Sequence, residues 1–187
     1  LLPQLVSFIR QLNVQDPRYA VAQWAAYLLG QQTDEAELVV RLTQTKSLTD
    51  IGLMVLVVAA SDTTQARIIN YLSTQNSSEA IRAMAYSGQL KFVPLLLELA
   101  QQQDSAEAAV DALTTLLGVI EADSLLAGID ISAFAAGKSG RKLAGFDIAP
   151  AQLNIIWRQG NQTQRQLGAC YRFLATPDSA MMFADVL

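Results

Sequence analysis

The sequence predicts an all-α fold, a right-handed α-α superhelix of about five helix pairs broken by one irregular insertion. Three observations carry it. Apolar residues recur three and four apart along most of the first 120 positions, as one face of a helix requires. Helix-start patterns return at a fixed interval. Almost no segment alternates with period two, so strands should be nearly absent.

The clearest stretch runs over residues 88–118. Leu90, Val93, Leu97 and Ala100 line one helix face, and Ala106, Ala109, Val110, Leu113, Leu116 and Leu117 line a second. Between them Asp104-Ser105-Ala106-Glu107 reads as a capping box, with Asp104 accepting the Glu107 amide. Gly118 suits the left-handed turn that ends the second helix. Neither helix can bury its apolar face alone.

Capping patterns also occur at Asp34-x-x-Glu37, Asp62-x-x-Gln65 and Asn76-x-x-Glu79. Asp34 and Asp62 lie 28 positions apart, as do Asn76 and Asp104, and Asp62 and Asn76 lie 14 apart. A further start falls near Ser47-x-x-Asp50. The pairs are then 1–13 with 17–30, 34–45 with 48–60, 62–74 with 77–87, and the two helices of 89–118. Pro17 sits at a first helical position, where its missing amide is harmless. Ala20, Trp24, Tyr27 and Leu28 give the second helix a broad apolar stripe, and Trp24 reads as core. The run 51–60 is apolar throughout but far short of the roughly 20 residues needed to cross a bilayer, so it reads as a helix buried on most sides.

The rhythm stops after residue 120. The organisation expected is 1–120 helical repeats, 121–149 a Gly- and Lys/Arg-bearing insertion with a short helix or two, and 150–187 a closing helix pair with a terminal helix. Pro150 opens the first closing helix, Gly160 ends it, and Asn161 caps the next.

Charge and composition narrow the function. The net charge is −4, with 13 Lys/Arg and 17 Asp/Glu. Up to Ile120 there are 7 Lys/Arg against 11 Asp/Glu, an acidic balance that argues against a nucleic-acid partner. The chain holds no histidine and one cysteine, Cys170, so zinc patterns and an internal disulfide are excluded. A lone cysteine fits a reducing compartment, and Cys170 reads as a buried structural thiol. Asp123, Asp130 and Asp147 lack calcium-loop spacing, and Glu35 and Glu37 occupy a first helical turn that favours carboxylates electrostatically. Gly137-Lys138-Ser139 lacks the upstream glycine of a phosphate loop, since Ser132 stands there. No catalytic residue, metal ligand or cofactor is expected. No signal peptide is visible at Leu1, although a chain that does not begin with Met leaves room for an upstream segment.

The partner-binding candidates are basic. Lys138, Arg141 and Lys142 form one cluster in the insertion, to be weighed against a solvated loop, while Arg158, Arg165 and Arg172, seven apart, read either as a basic strip on the closing pair or as salt-bridge partners of Asp178 or Asp185. Tyr19, Trp24, Tyr27, Tyr71, Tyr86 and Trp157 are the aromatic contacts to expect wherever they face outward.

Paired helices with a proline in the first, as in Val93-Pro94-Leu95, and an Ala-rich second helix, Ala106-Glu107-Ala108-Ala109, resemble HEAT repeats. The order Leu116-Leu117-Gly118, then Gly140-Arg141-Lys142-Leu143-Ala144-Gly145, then Gln164-Arg165-Gln166-Leu167-Gly168-Ala169 is similar to a bacterial HEAT-like family found near type VI secretion genes. That family tends to carry an aromatic where Lys142-Leu143 stand and a second arginine where Gln166 or Leu167 stands, so the match departs there. The resemblance implies a cytoplasmic accessory protein that binds another protein, such as a secretion-system component, with no nucleic-acid or membrane partner. It supplies no catalytic residues. Two alternatives stay open: an enzyme on the same scaffold, as in HEAT-like DNA glycosylases or bilin lyases, and a structural segment of a longer chain.

Overall fold

A computed structural model describes residues 1–118 and 140–175, and these are mostly helical. They fall into two units, residues 1–68 and the residues from 69 onward, with the division inside helix α5 (Asp62–Gln75).

The first unit contains α1 (Leu2–Gln11), α2 (Pro17–Leu28), α3 (Glu35–Gln44), α4 (Asp50–Ala59) and the start of α5. α2 packs on α1, α3 on α2, and α4 on α3. Each start has a local cause. Asp16 accepts the Arg18 amide ahead of Pro17, Asp34 accepts the Glu37 amide at 3.1 Å, and Thr49 accepts the Gly52 amide at 3.0 Å. The expected start at Ser47 is therefore displaced to Thr49. Ser47 instead closes α3: its amide donates to the Leu42 carbonyl at 2.8 Å, with Lys46 before it at φ 53°. The expected Asp62 cap is likewise one residue late. Ser61 Oγ accepts the Thr64 amide at 3.2 Å, and Gln65 is fully buried, donating from Nε2 to the Val57 carbonyl at 2.7 Å.

α4 is buried from Gly52 through Val58, as its unbroken apolar run requires. Leu53, Met54 and Leu56 of α4 and Leu38 and Leu42 of α3 are almost wholly inaccessible. Trp24 packs inward, stacked on Tyr27 at 5.8 Å between ring centroids, and its ring lies over Gly52. Ile9, Ala22 and Ala26 form a smaller cluster with Leu2, Leu5 and Leu12.

In the second unit α6 (Ser77–Tyr86) is followed by a 3₁₀ turn over Leu90–Phe92, α7 (Val93–Leu99) and α8 (Ala106–Leu117). Asn76 caps α6 as expected, accepting the Ser78 and Glu79 amides. Asp104 does not cap α8. The N-cap is Ser105, and its hydroxyl donates backward to the Leu99 carbonyl at 2.8 Å rather than accepting a helix amide. The periodicity survives these shifts: Asp34 and Ser61 are 27 positions apart, Thr49 and Asn76 also 27, and Asn76 and Ser105 29. α8 packs against both α7 and α6.

Strands are nearly absent among the described residues, as expected, and the one pair lies at the end of the insertion. Residues 119–139, where the short helix and Lys138 were placed, lie outside the described residues, as do residues 176–187 of the expected terminal helix. Residues 140–149 form a strap with two short antiparallel strands, β1 (Lys142–Leu143) and β2 (Phe146–Asp147). The turn between them is Ala144-Gly145, at φ 53° and 82°, the paired positive values that a tight two-residue hairpin needs. The strap binds backbone on both sides. Lys142 N donates to Gly88 O at 2.8 Å, and Leu90 N to Gly140 O at 3.1 Å. Ala144 N and Gly145 N donate to Thr115 O and Leu116 O at 2.8 and 2.9 Å, satisfying carbonyls left without partners at the end of α8.

α9 (Pro150–Gln159) and α10 (Gln162–Ala175) close the described chain and pack together. Asn161 Oδ1 accepts the Gln164 amide at 2.9 Å while Gln164 Oε1 accepts the Asn161 amide at 2.9 Å, a reciprocal capping box. Gln164 Nε2 also donates to Thr114 O at 2.9 Å. One buried glutamine thus starts α10 and completes the capping of α8.

Candidate functional site

The basic residues singled out from the sequence separate into two environments. Arg141 and Lys142 are half-buried within the strap. Lys142 Nζ pairs with Asp147 Oδ1 at 3.2 Å and donates to Gly145 O at 3.2 Å. The Arg141 guanidinium donates to the Tyr171 hydroxyl, which in turn donates to Tyr86 O at 2.9 Å. Burial raises the Tyr171 hydroxyl above its ordinary value, and the Arg141 contact opposes that shift. Both cations therefore serve contacts within the fold, Arg141 tying the strap to α10 and Lys142 closing the hairpin. Lys138 lies outside the described residues.

Arg158, Arg165 and Arg172 stand differently. Arg158 and Arg172 are exposed and Arg165 is half-buried. On α9 the stripe Ala151, Asn154, Arg158 advances by three and four residues, and on α10 Arg165, Ala169, Arg172 does the same. The buried sides of these helices are Leu153 and Ile156 on α9 and Gln164, Leu167 and Gly168 on α10. Gly168 faces α9 side chains: a Cβ there would make ordinary contact, 3.7 Å from Ile156 Cγ2 and 3.9 Å from Leu153 Cδ2. Arg172 Nη1 donates to Asn154 Oδ1 at 3.4 Å, joining the two stripes. The helices are joined by Gly160 and Asn161 alone, so they run antiparallel. Arg158 lies one turn from Asn154 toward that connection, and Arg165 lies two turns from Arg172 in the same direction. Arg172 and Asn154 thus join α9 and α10 along one seam, with Arg158 and Arg165 on the same helix pair. Arg165 Nη2 donates to Gln162 Oε1 at 3.2 Å, while its Nε is shielded from solvent and finds no acceptor among the described residues.

The seam is also set apart by charge. Residues 140–175 carry five Lys/Arg and a single carboxylate, Asp147, which pairs with Lys142. Residues 69–118 carry two Lys/Arg and five Asp/Glu.

The aromatic residues expected as contacts are not outward. Tyr86 is buried, and Tyr19, Trp24, Tyr27, Tyr71 and Trp157 are half-buried. The exposed large apolar side chains include Phe8, Val21, Leu28 and Leu29 in the first unit and Phe146 and Ile155 in the second. Sequence periodicity alone could not distinguish Phe8, Val21, Leu28 and Ile155 from core positions on the same helices.

Other candidate chemistry falls into structural roles. Glu37 Oε1 pairs with Arg41 Nη2 at 2.6 Å, and Glu35 accepts from the Tyr27 hydroxyl at 3.4 Å. Burial raises the Cys170 thiol to about 11, so the thiolate is scarce at neutral pH. Among the described residues no group of three or more His, Cys, Asp or Glu could hold a metal ion. No described helix is long and apolar enough to cross a membrane.

Asp16, half-buried at the start of α2, is held at about 2 against an ordinary 3.8 mainly by its hydrogen bond to the Arg18 side chain. Because the folded value is depressed, its stabilising contribution is complete above about pH 4 and is lost as the pH falls toward 2. Arg18→Ala should return Asp16 toward 3.8, read by carboxyl-resolved NMR titration. An unchanged value would assign the shift to the helix terminus instead.

Compared with protein-family models, with curated proteins and with solved structures, the chain gives no significant match.

Proposed function

We propose that the chain is a non-catalytic, cytoplasmic protein-binding scaffold, a right-handed HEAT-like α-α superhelix whose stacked helices hold a contact surface rigid for another protein. The observation that carries this reading is the packing of α8 on both α7 and α6. Contact within a helix pair and between the second helices of successive pairs is how a helical repeat array extends, each repeat covering the apolar face of the next. The recurring caps at Asp34, Ser61 and Asn76 support the same repeat unit. The resemblance of the Gly140–Gly145 and Gln164–Ala169 segments adds a narrower reading, an accessory protein of a type VI secretion system.

Such a surface acts by display. Backbone positions are set by buried neighbours, so binding spends little free energy on ordering the scaffold, and affinity comes from a few anchors. The test is to immobilise the protein, capture from a lysate of its own organism, and confirm each retained protein with purified components. A protein partner that binds one-to-one without chemical turnover is the expected result. Retention of duplex DNA, or of a chromophore during co-expression, would replace the scaffold reading with an enzyme of glycosylase or lyase type.

A further inference from the structure

We infer that the strap fills, from within the chain, a cleft that takes an extended segment, and that a partner protein's segment of the same chemistry binds there by displacing it. This rests on the protein-binding reading above and names the site and the chemistry of its ligand. The cleft has three walls. The turn after α6 offers a strand edge: Lys142 N donates to Gly88 O, Leu90 N donates to Gly140 O, and Gln89 stands opposite Arg141 in an antiparallel bridge. The end of α8 offers the Thr115 and Leu116 carbonyls to Ala144 N and Gly145 N. α10 supplies Gly168 and Tyr171.

Recognition in this cleft does not depend on a continuous chain. Four of its contacts are backbone hydrogen bonds, the kind by which an added strand gains affinity whatever its side chains. The walls admit backbone closely: an added Cβ would stand 3.3 Å from Lys142 O at Gly88 and 3.1 Å from Ala144 O at Gly118. Side chains then supply selectivity. Arg141 and Leu143 are two residues apart and share one face of the strand. That face meets α10, where Arg141 donates to the Tyr171 hydroxyl and buried Leu143 lies beside Gly168. Lys142 is engaged on its own hairpin, by Asp147 and Gly145 O, and Phe146 and Asp147 are exposed. The cleft therefore reads Arg-x-Leu followed by two small residues that can turn, the second a glycine.

Three of the wall groups are carbonyls, those of Gly88, Thr115 and Leu116, so the ligand must present N–H donors in order. A polypeptide backbone does this and a phosphate backbone does not. Exchange can proceed stepwise, each strap bond being replaced by an equivalent one, so that no wall carbonyl is left unpaired on the way.

The test uses the full chain and a fluorescein-labelled octapeptide of the strap's own sequence, Gly-Arg-Lys-Leu-Ala-Gly-Phe-Asp. In the wild type the attached strap competes, and apparent affinity falls by the fraction of molecules whose cleft is open. Leu143→Ala weakens that competitor and leaves the walls in place, so the variant should bind the peptide at least about ten-fold more tightly than wild type, by fluorescence anisotropy. A peptide with Ala for Leu should lose at least about ten-fold. Hydrogen exchange locates the event: binding should speed exchange of the strap's Ala144 and Gly145 amides, which lose Thr115 O and Leu116 O. Lys142→Ala loosens the hairpin without emptying the core, and it replaces Leu143→Ala if circular dichroism shows that variant unfolded. No binding to the weakened chain, equal binding of the two peptides, or binding with the strap amides still protected would overturn the assignment. Concentration-dependent dimers with released straps would overturn it too, giving the cleft to a second copy. A captured protein partner that binds while the strap amides stay protected would remove the cleft alone and leave the scaffold reading standing.

Discussion

Leu143→Ala should destabilise the second unit by about 2–5 kcal/mol, the range for emptying a buried leucine site that cannot collapse. Leu143 is 1 % exposed although it belongs to a strand of two residues. Its Cδ2 lies 4.0 Å from the place a Cβ would take at Gly168, so it reaches α10 beside the site where Gly168 faces Ile156 and Leu153 of α9. The backbone on either side cannot follow a smaller side chain inward. Lys142 N is bonded to Gly88 O, and Ala144 N to Thr115 O. The cavity should therefore persist, which places the expected cost toward the upper half of the range. Urea denaturation followed by circular dichroism is the measurement: the midpoint should fall with little change in slope. A midpoint equal to wild type would mean that the strap decorates the surface and that α8, α9 and α10 hold together without it.

That strap marks the boundary of what the residues disclosed in advance. The helices were legible because several signals coincided: apolar spacing of three and four, Pro17 and Pro150 at first turns, and Asp34, Asn76 and Asn161 as caps. The caps that misled did so through crowding of candidates. Ser61 and Asp62 are adjacent, as are Asp104 and Ser105, and a capping side chain is chosen by how the preceding turn delivers it. Ser105 shows this, because its hydroxyl is drawn back to Leu99 O and leaves α8 without a side-chain cap. The hairpin was illegible for another reason. Two strands of two residues show no alternation, and Ala144-Gly145 lacks the Asn-Gly or Asp-Gly signature of such turns. What holds it is tertiary, namely the unpartnered carbonyls of α8 and the turn at Gly88.

The candidate site was half legible. Seven-residue spacing marked Arg158, Arg165 and Arg172 as one strip; Arg158 and Arg172 are exposed, Arg165 is half-buried, and Arg172 meets Asn154 across the two helices. Arg141 and Lys142 carry the same charge in sequence, yet they are engaged within the fold, Arg141 on Tyr171 of α10 and Lys142 on Asp147 and Gly145 of the strap. A basic residue announces a partner without saying whether that partner belongs to the same chain. Asn154 and Gln162, which orient the seam arginines, carry no such signal, because an exposed amide on a helix is ordinary.

Gly145→Ala carries the second large effect, and Gly30→Ala is its control. Both glycines have φ in the left-handed region, 82° and 94°, so an alanine at either should cost about 1–2 kcal/mol in backbone strain alone. At Gly30 nothing lies within 4 Å of the added Cβ, so strain is the whole expected cost. At Gly145 the Cβ would stand 2.7 Å from Leu117 O and 3.4 Å from Leu117 C, and both are backbone atoms of α8. They cannot rotate away as a side chain would. Relief requires the turn to withdraw, which lengthens the bond from Gly145 N to Leu116 O and exposes a carbonyl that the strap had capped. The total for Gly145→Ala should then exceed that for Gly30→Ala by at least about 1–2 kcal/mol, the cost of leaving a buried acceptor unsatisfied. Matched chemical denaturation of the two variants reads the difference. Equal losses would show that the turn can lift from α8 at no cost, and that the capping contacts of the strap contribute nothing to holding this unit together.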